Sequence, residues 1–320
     1  MSPSVAVEGV PVIDIGRADG AAARAAIDRA CREWGFFQVV GHGLDPALID
    51  RLFEVSHEFV AQTHAAKQAI ARDADNPWGY FDRELTKNRQ DWKEIYDLGP
   101  ADGQRLAPRW PIGDLRLRFE PTLQAYYDHC KALAMRLLGV ITANLGADFA
   151  KLARGFDRTH TSFLRLNHYP PHRTDDGVAR AALGVGEHTD SGALTVLLQD
   201  DQPGLEVCRD GRWHLVQPLA GALVVNIGDI VQVWSNDRYR AALHRVITNP
   251  ARDRYSVPFF LNPSYDTTYE PLPSTVSERE PAHYRRILWR EFRSLRAAGD
   301  YADLGEEIQI SHYRQTELRA

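Results

Sequence analysis

The chain has 320 residues, 44% hydrophobic and 25% charged, with a formal net charge of −5. This balance buries a sizeable core, excludes a fibrous or disordered chain, and offers no basic block for nucleic acid or an anionic membrane. Cys31, Cys130 and Cys208 stand far apart with no CxxC pair, no secretory signal opens the chain, and no run approaches the roughly 18 apolar residues of a membrane span. A cytoplasmic protein with a small-molecule partner, and with no nucleic-acid or membrane partner, is expected.

In chain order, residues 12–15 read as a short strand. The run "AAARAAIDRACREWG" follows, with Ile27, Ala30, Cys31 and Trp34 at i, i+3, i+4, i+7 spacing, which predicts a helix ended by Gly35. "FFQVVGHG" reads as a strand and turn. A second helix is expected over 46–71, with Leu48, Leu52, Phe59 and Val60 on its inner face. The stretch "DNPWGYFDRELTKNRQDWKEIYDLG" is irregular and too aromatic for disorder, so it reads as a functional loop. A third helix is expected over 121–145, its stripe running from Leu123 through Tyr127, Cys130, Leu133, Ala134 and Leu137 to Ile141.

From Ser162 the texture changes to short β-branched and aromatic runs separated by turns, with Asp210-Gly211 as a hairpin signal. Helical texture returns after Tyr284. No βαβ alternation and no GxGxxG after a strand are present, so the pattern predicts a mixed α+β chain with an antiparallel β core braced by helices. One composite domain is expected over 1–320: a mainly helical part over 1–160, a β core with the metal site over 161–270, and a C-terminal helix and tail over 271–320.

The polar groups of the β half point to chemistry. His188 and Asp190 sit at i, i+2 beside the apolar run 193–198, so both face one side of a strand and approach a single ion. Alone, such a pair also reads as a surface strand end or a core histidine bonded to a carboxylate. His244, 54 residues after Asp190, lies in another β-like run between Leu243 and Val246, where an imidazole needs a partner. Two histidines and one carboxylate form the facial triad of non-haem Fe(II) oxygenases, which leaves positions open for co-substrate and oxidant. A structural zinc site would be closed by four ligands, often thiolates.

Arg254 and Ser256 come ten and twelve residues after His244, again at i, i+2 spacing. A guanidinium beside a hydroxyl suits a carboxylate; alone, it is also an ordinary strand arginine. In "FLRLNHYPP", Arg165, Asn167 and Tyr169 share one strand face, which lines either a pocket or solvent.

"PVIDI", "WGFFQVVGHG", "NHYPP", "HTD", "HRV" and "RYS", in this order and spacing, resemble the isopenicillin N synthase-like branch of the Fe(II)/2-oxoglutarate-dependent oxygenases. The resemblance implies a distorted jelly roll (double-stranded β-helix) flanked by helices. It implies His188, Asp190 and His244 as Fe(II) ligands, and Arg254 and Ser256 on the distal carboxylate of 2-oxoglutarate. Tyr169 would hydrogen-bond the same co-substrate, with Asn167 nearby, and Arg165 would face its metal-proximal carboxylate or the substrate. The implied reaction consumes O2 and 2-oxoglutarate, releases succinate and CO2, and oxidises an unactivated C–H bond by hydroxylation, desaturation or cyclisation.

Isopenicillin N synthase itself carries R-x-S without using 2-oxoglutarate, so an Fe(II) oxidase without this co-substrate is the alternative. A non-enzymatic sensor would have no reason to bury the triad with Arg254. A zinc hydrolase would leave Arg254, Ser256 and Tyr169 unexplained. For the substrate, the candidates are Tyr80, Phe81, Arg83 and Lys87 in the long loop, Trp234 after "GDIVQV", and Phe260 and Asn262 after R-x-S. Their mix suits a small acid or amino-acid derivative with an apolar part; each aromatic alone also reads as loop packing. The tail 308–313 would either cover the pocket or close the last helix.

Overall fold

A computed structural model describes residues 9–16, 20–100, 106–157, 159–172, 182–300 and 308–315. Strand β1 (Val12–Asp14) leads into helix α1 (Ala21–Glu33), which buries Ala23, Ile27, Ala30 and Cys31. Gly35 ends it at φ +62°, a conformation that favours glycine, and its N–H donates to the Ala30 carbonyl. After β2 (Phe36–Val40), helix α2 (Pro46–Val60) starts on Asp45, whose carboxylate accepts from the Ala47 N–H at 2.9 Å.

The helix expected over 46–71 breaks in two. The Thr63 hydroxyl accepts from the Ala66 N–H and caps a separate short helix, α3 (His64–Gln68). The irregular stretch contains four short strands: β3 (Gly79–Phe81), β4 (Leu85–Thr86), β5 (Arg89–Gln90) and β6 (Glu94–Leu98). Helix α4 (Asp114–Asn144) begins seven residues before Pro121. Proline is tolerated there because the carbonyl it leaves unpaired belongs to Leu117, on the exposed side of the helix. Phe59 of α2 and Phe119 of α4 pack at 5.1 Å; each fully buried phenylalanine stabilises the fold by roughly 1.5–3 kcal/mol. Helix α5 (Phe149–Ala153) closes this half.

The β core follows: β7 (Phe163–Tyr169), β8 (Leu183–His188), β9 (Leu194–Gln199), β10 (Leu205–Arg209), β11 (Arg212–Leu215) and β12 (Leu223–Ile227). Then come α6 (Asp229–Trp234), β13 (His244–Ile247), β14 (Arg254–Leu261), β15 (Thr268–Tyr269), β16 (Ile287–Leu288) and α7 (Trp289–Asp300). The β10–β11 hairpin turns at Asp210 and Gly211, both at positive φ, as its sequence predicts.

Two sheets form the jelly roll. The larger runs β1-β2-β12-β9-β14-β7-β6-β3 and the smaller β11-β10-β13-β8. Strands from the mainly helical N-terminal part therefore extend the large sheet at both edges. The principal core draws on residues from Ile13 to Tyr313.

Candidate active site

Antiparallel pairing of β8 with β13 puts His188 directly opposite His244, with ring centroids 4.2 Å apart. Asp190 lies just past the end of β8, and its Oδ1 is 3.6 Å from each Nε2. One ligand atom from each of the three residues falls within 4.8 Å of the others. Each histidine turns Nδ1 to a carbonyl two residues earlier, Gly186 at 2.8 Å and Ala242 at 3.1 Å. Nδ1 therefore carries the proton, and the Nε2 lone pair points inward, as a metal requires. On Asp190, Oδ2 accepts from Thr195 and from Asn226 Nδ2, which leaves Oδ1 toward the histidines.

Electrostatics agree. Burial foremost, and then His188, push His244 down to about 4, so its imidazole is a neutral donor. Burial works against charge on Asp190, yet His244, His188 and Thr195 hold its carboxyl well below the usual range. This largely buried set of two imidazole nitrogens and one carboxylate oxygen fits a divalent iron.

Strand register builds the adjoining site. β14 pairs with β7 so that Arg254 lies opposite Tyr169, and Ser256 opposite Asn167. Ser256 Oγ accepts from Asn167 Nδ2 at 3.3 Å. The Arg254 guanidinium is 0% exposed and lies 5.1 Å from the Tyr169 ring centroid. Nη2 donates to Gln199 Oε1 at 3.0 Å and Nε to the Gln202 carbonyl at 3.3 Å, while Nη1 and Asn167 Oδ1 have no partner. A buried guanidinium held by neutral oxygens, with an N–H to spare, fits a carboxylate ligand.

An inner chamber holds the triad with Asn167, Tyr169 and Ser256. It adjoins an outer cavity of about 320 Å³. Arg165, Lys93, Val185, His188, Asp190 and Phe260 line both. Trp78 and Phe163 wall the outer cavity, with Phe163 stacked on Phe260 at 4.6 Å.

Six charged side chains form a buried network at the junction. Lys93 is 4% exposed, and its Nζ meets Glu84 at 2.7 Å and Asp91 at 3.2 Å. Arg165 bridges Glu84 at 2.6 Å and Asp97 at 2.7 Å, and Arg72 also meets Asp97 at 2.9 Å. Burial alone would discharge Lys93, but Glu84 and Asp91 keep it protonated. Asp91 also accepts from the Gly186 N–H at 3.2 Å, so the network touches the strand that carries His188.

Arg165, Phe260 and Asn262 thus line the outer cavity. Four other expected substrate residues, and Lys87, do not. Tyr80 faces the helical core, where its hydroxyl donates to Glu94 at 2.7 Å, because alternation along edge strand β3 turns it inward. Phe81 lies under the Arg72 guanidinium at 4.0 Å. Arg83 is exposed beside Asp82, and Lys87 sits at positive φ in the β4–β5 turn. Trp234 ends helix α6, which packs it into the core near Phe156. In the tail, Ile310 and Tyr313 pack into the core, with Tyr313 against Phe292. Lys93, Glu84, Asp91, Trp78, Thr195, Asn226, Asp229 and Arg296 were not singled out from sequence. The alternating charges of "DWKE" and the Asn and Asp of "NIGD", beside otherwise apolar strands, are the signals that mark some of them.

This fold and triad define a non-haem iron oxygenase. Residues 160–263 match the model of the 2OG-Fe(II) oxygenase superfamily, and residues 10–112 match the N-terminal model of the non-haem dioxygenase in morphine synthesis. The chain belongs to the 2OG-Fe(II) oxygenase superfamily. It is 34% identical over 306 residues to 1-aminocyclopropane-1-carboxylate oxidase of Musa acuminata, spanning 91% of this chain and 95% of the relative. It is 35% identical over 304 residues to gibberellin 20 oxidase 2 of Oryza sativa subsp. indica, spanning 90% and 76%. Among solved structures, JOX2 in complex with 2OG, Fe and JA superposes with a TM-score of 0.83 at 31% identity, covering 96% of this chain and 90% of that one. The rice dioxygenase for auxin oxidation superposes at 0.75 with 28% identity, covering 96% and 100%. The protein is an Fe(II)- and 2-oxoglutarate-dependent oxidoreductase of small molecules. Among the described residues, no helix is long and apolar enough to cross a membrane.

Proposed function

We propose that this oxygenase oxidises an unactivated C–H bond of a small organic acid or amino-acid derivative. In this reading His188, Asp190 and His244 hold the iron, and Arg254 and Ser256 hold the distal carboxylate of 2-oxoglutarate. The observation that carries the co-substrate site is the fully buried Arg254 with Nη1 unpartnered. Bound iron supplies the oxidising power, drawn from O2 and the decarboxylation of 2-oxoglutarate to succinate.

The remaining work belongs to the chain's own side chains. Thr195 and Asn226 hold Asp190 so that one oxygen stays free for the metal. The Gly186 and Ala242 carbonyls fix both imidazoles. Tyr169 supports the Arg254 guanidinium from below, and Asn167 orients the Ser256 hydroxyl. The apolar walls Trp78, Phe163 and Phe260 exclude water from the reacting carbon.

The cavity wall supports an acidic substrate. Five cations, Arg72, Lys93, Arg165, Arg293 and Arg296, line it with three carboxylates, Glu84, Asp97 and Asp190, while the 2-oxoglutarate dianion balances the charge of the iron. A cytoplasmic setting is supported by Cys31, Cys130 and Cys208, all free thiols.

The test is anaerobic. Fe(II) and 2-oxoglutarate added together should give the weak visible metal-to-ligand charge-transfer band of the chelate. Iron binding without the band would reject the co-substrate assignment. Loss of iron binding would reject the triad. Succinate release over a panel of small acids and their amides then tests the substrate class, and a preference for the amides would reject it.

A further inference from the structure

We propose that Arg296 is a positioning residue for the metal ligands, holding from the last helix the turn between His188 and Asp190. The proposal rests on the assignment of His188, Asp190 and His244 as metal ligands.

Helix α7 buries Trp289 and Phe292 against the core, and the next position on the same stripe is i+4 from Phe292. Helical patterning calls for an apolar residue there. The chain places Arg296, 2% exposed. Its Nη1 donates to Asp229 Oδ2 at 2.8 Å. Its Nη2 donates to the Thr189 carbonyl at 2.7 Å, with the Thr189 hydroxyl at 3.3 Å. Thr189 is the residue between the two ligands. Asp229 begins α6, and its backbone N–H donates to the Asp190 carbonyl at 2.8 Å. One guanidinium therefore constrains the ligand turn twice, directly at Thr189 and through Asp229 at Asp190.

The contact is close-packed. A Cβ added at Gly228, just before Asp229, would meet the Gly192 carbonyl at 2.2 Å and the Asp190 carbonyl at 2.8 Å. The start of α6 thus lies directly on the ligand turn. A buried ion pair is a weak source of stability, since apolar side chains of similar volume often replace it at no loss. A forked donor that reaches a carboxylate and a carbonyl together does what an apolar side chain cannot: it fixes the turn's backbone. Groups that orient metal ligands usually matter to metal affinity in this way.

The sign of the effect separates positioning from charge. Arg296 is a cation lining the cavity beside the triad, and it repels a divalent ion. If it acted by charge alone, its removal would tighten metal binding, the more so because Asp229 would then lack its counter-charge. Positioning requires the opposite.

The experiment titrates the metal-free full chain with Co(II) alone, read by its visible d–d bands, for the parent, Arg296→Met and Arg296→Lys. Melting curves run in parallel. The expected result is Co(II) affinity lowered about tenfold or more in Arg296→Met, in the range found for groups that orient metal ligands. Arg296→Lys, which keeps the charge and loses the fork, should be weakened too. Should the methionine variant fail to fold, the lysine variant decides alone. Unchanged or tighter Co(II) binding in a folded variant, with only the melting temperature lowered, would reduce Arg296 to docking the helix and overturn the proposal. If the parent binds no Co(II), the triad assignment fails first, and the proposal falls with it.

Discussion

His188 and His244 face each other across the β8–β13 pairing, and each is fixed by a carbonyl two residues before it, from Gly186 and Ala242. This near-symmetrical arrangement presents both Nε2 atoms to Asp190. Such preorganisation lowers the cost of binding an ion.

The first prediction follows from that geometry. His188→Ala removes one of three ligands and leaves the rest of the jelly roll intact. Metal affinity should fall by on the order of a hundredfold or more, beyond what the loss of an orienting group alone gives. Metal content by elemental analysis and succinate release should fall together. A folded His188→Ala protein that stays iron-replete and active would remove His188 from the site.

Arg254→Ala should act on the co-substrate rather than the metal. Two charge-assisted hydrogen bonds to a carboxylate are worth roughly 1.5–3 kcal/mol each, so the 2-oxoglutarate concentration for half-maximal succinate release should rise by at least about a hundredfold. Co(II) affinity should stay near that of the parent. Arg254→Lys should recover part of the loss, since lysine keeps the charge without the fork. Unchanged dependence on 2-oxoglutarate in Arg254→Ala would reject the assignment.

What was legible in sequence and what was not divides along the range of the interaction. Period-two alternation put Arg254 with Ser256, and Asn167 with Tyr169, on shared faces, and both pairs line up across β14 and β7. His188 and Asp190 were legible for the same reason, and His244 because a histidine is rare within an apolar strand. The Lys93 network was not. Its partners come from three segments, Glu84 before β4, Asp91 after β5 and Arg165 on β7, and no one-dimensional pattern joins them. Trp234 was misplaced because "GDIVQVW" forms the helix α6, whose 3.6-residue period turns the indole into the core. Nothing in "WREFRSLR" separates Arg296 from Arg290 or Arg293, and only the fold buries it.

The Lys93 network gives a stability prediction. Lys93→Met leaves Glu84 and Asp91 buried beside one fewer cation. Breaking a buried pair from one side costs about 3–5 kcal/mol, and urea unfolding should show a loss of that order. Asp91→Asn in the same chain should restore part of it, because the amide oxygen still accepts from the Gly186 N–H, the amide N–H can donate to the Thr86 hydroxyl, and the unpaired charge is gone. A Lys93→Met protein as stable as the parent would show that the network is dispensable for folding.

Acid sensitivity should be read at Glu94, which lies away from the metal. Burial works to raise its pKa, but hydrogen bonds from His168 at 2.8 Å, Lys67 at 2.6 Å and Tyr80 at 2.7 Å bring the carboxyl down to about 2 from an ordinary 4.5. The folded value lies below the unfolded one, so the stabilisation is fully present above about pH 4.5. It is lost as the pH falls toward 2, when the carboxyl protonates in the folded state as well. Glu94→Gln should therefore be less stable than the parent at pH 6, and the gap should narrow steadily below pH 4.5. Urea unfolding of the two proteins at matched pH values from 6 downward measures this difference and cancels the other carboxylates that titrate in the same window. A gap that stays constant across the range would mean that Glu94 contributes through its shape and hydrogen bonds, and not through its charge.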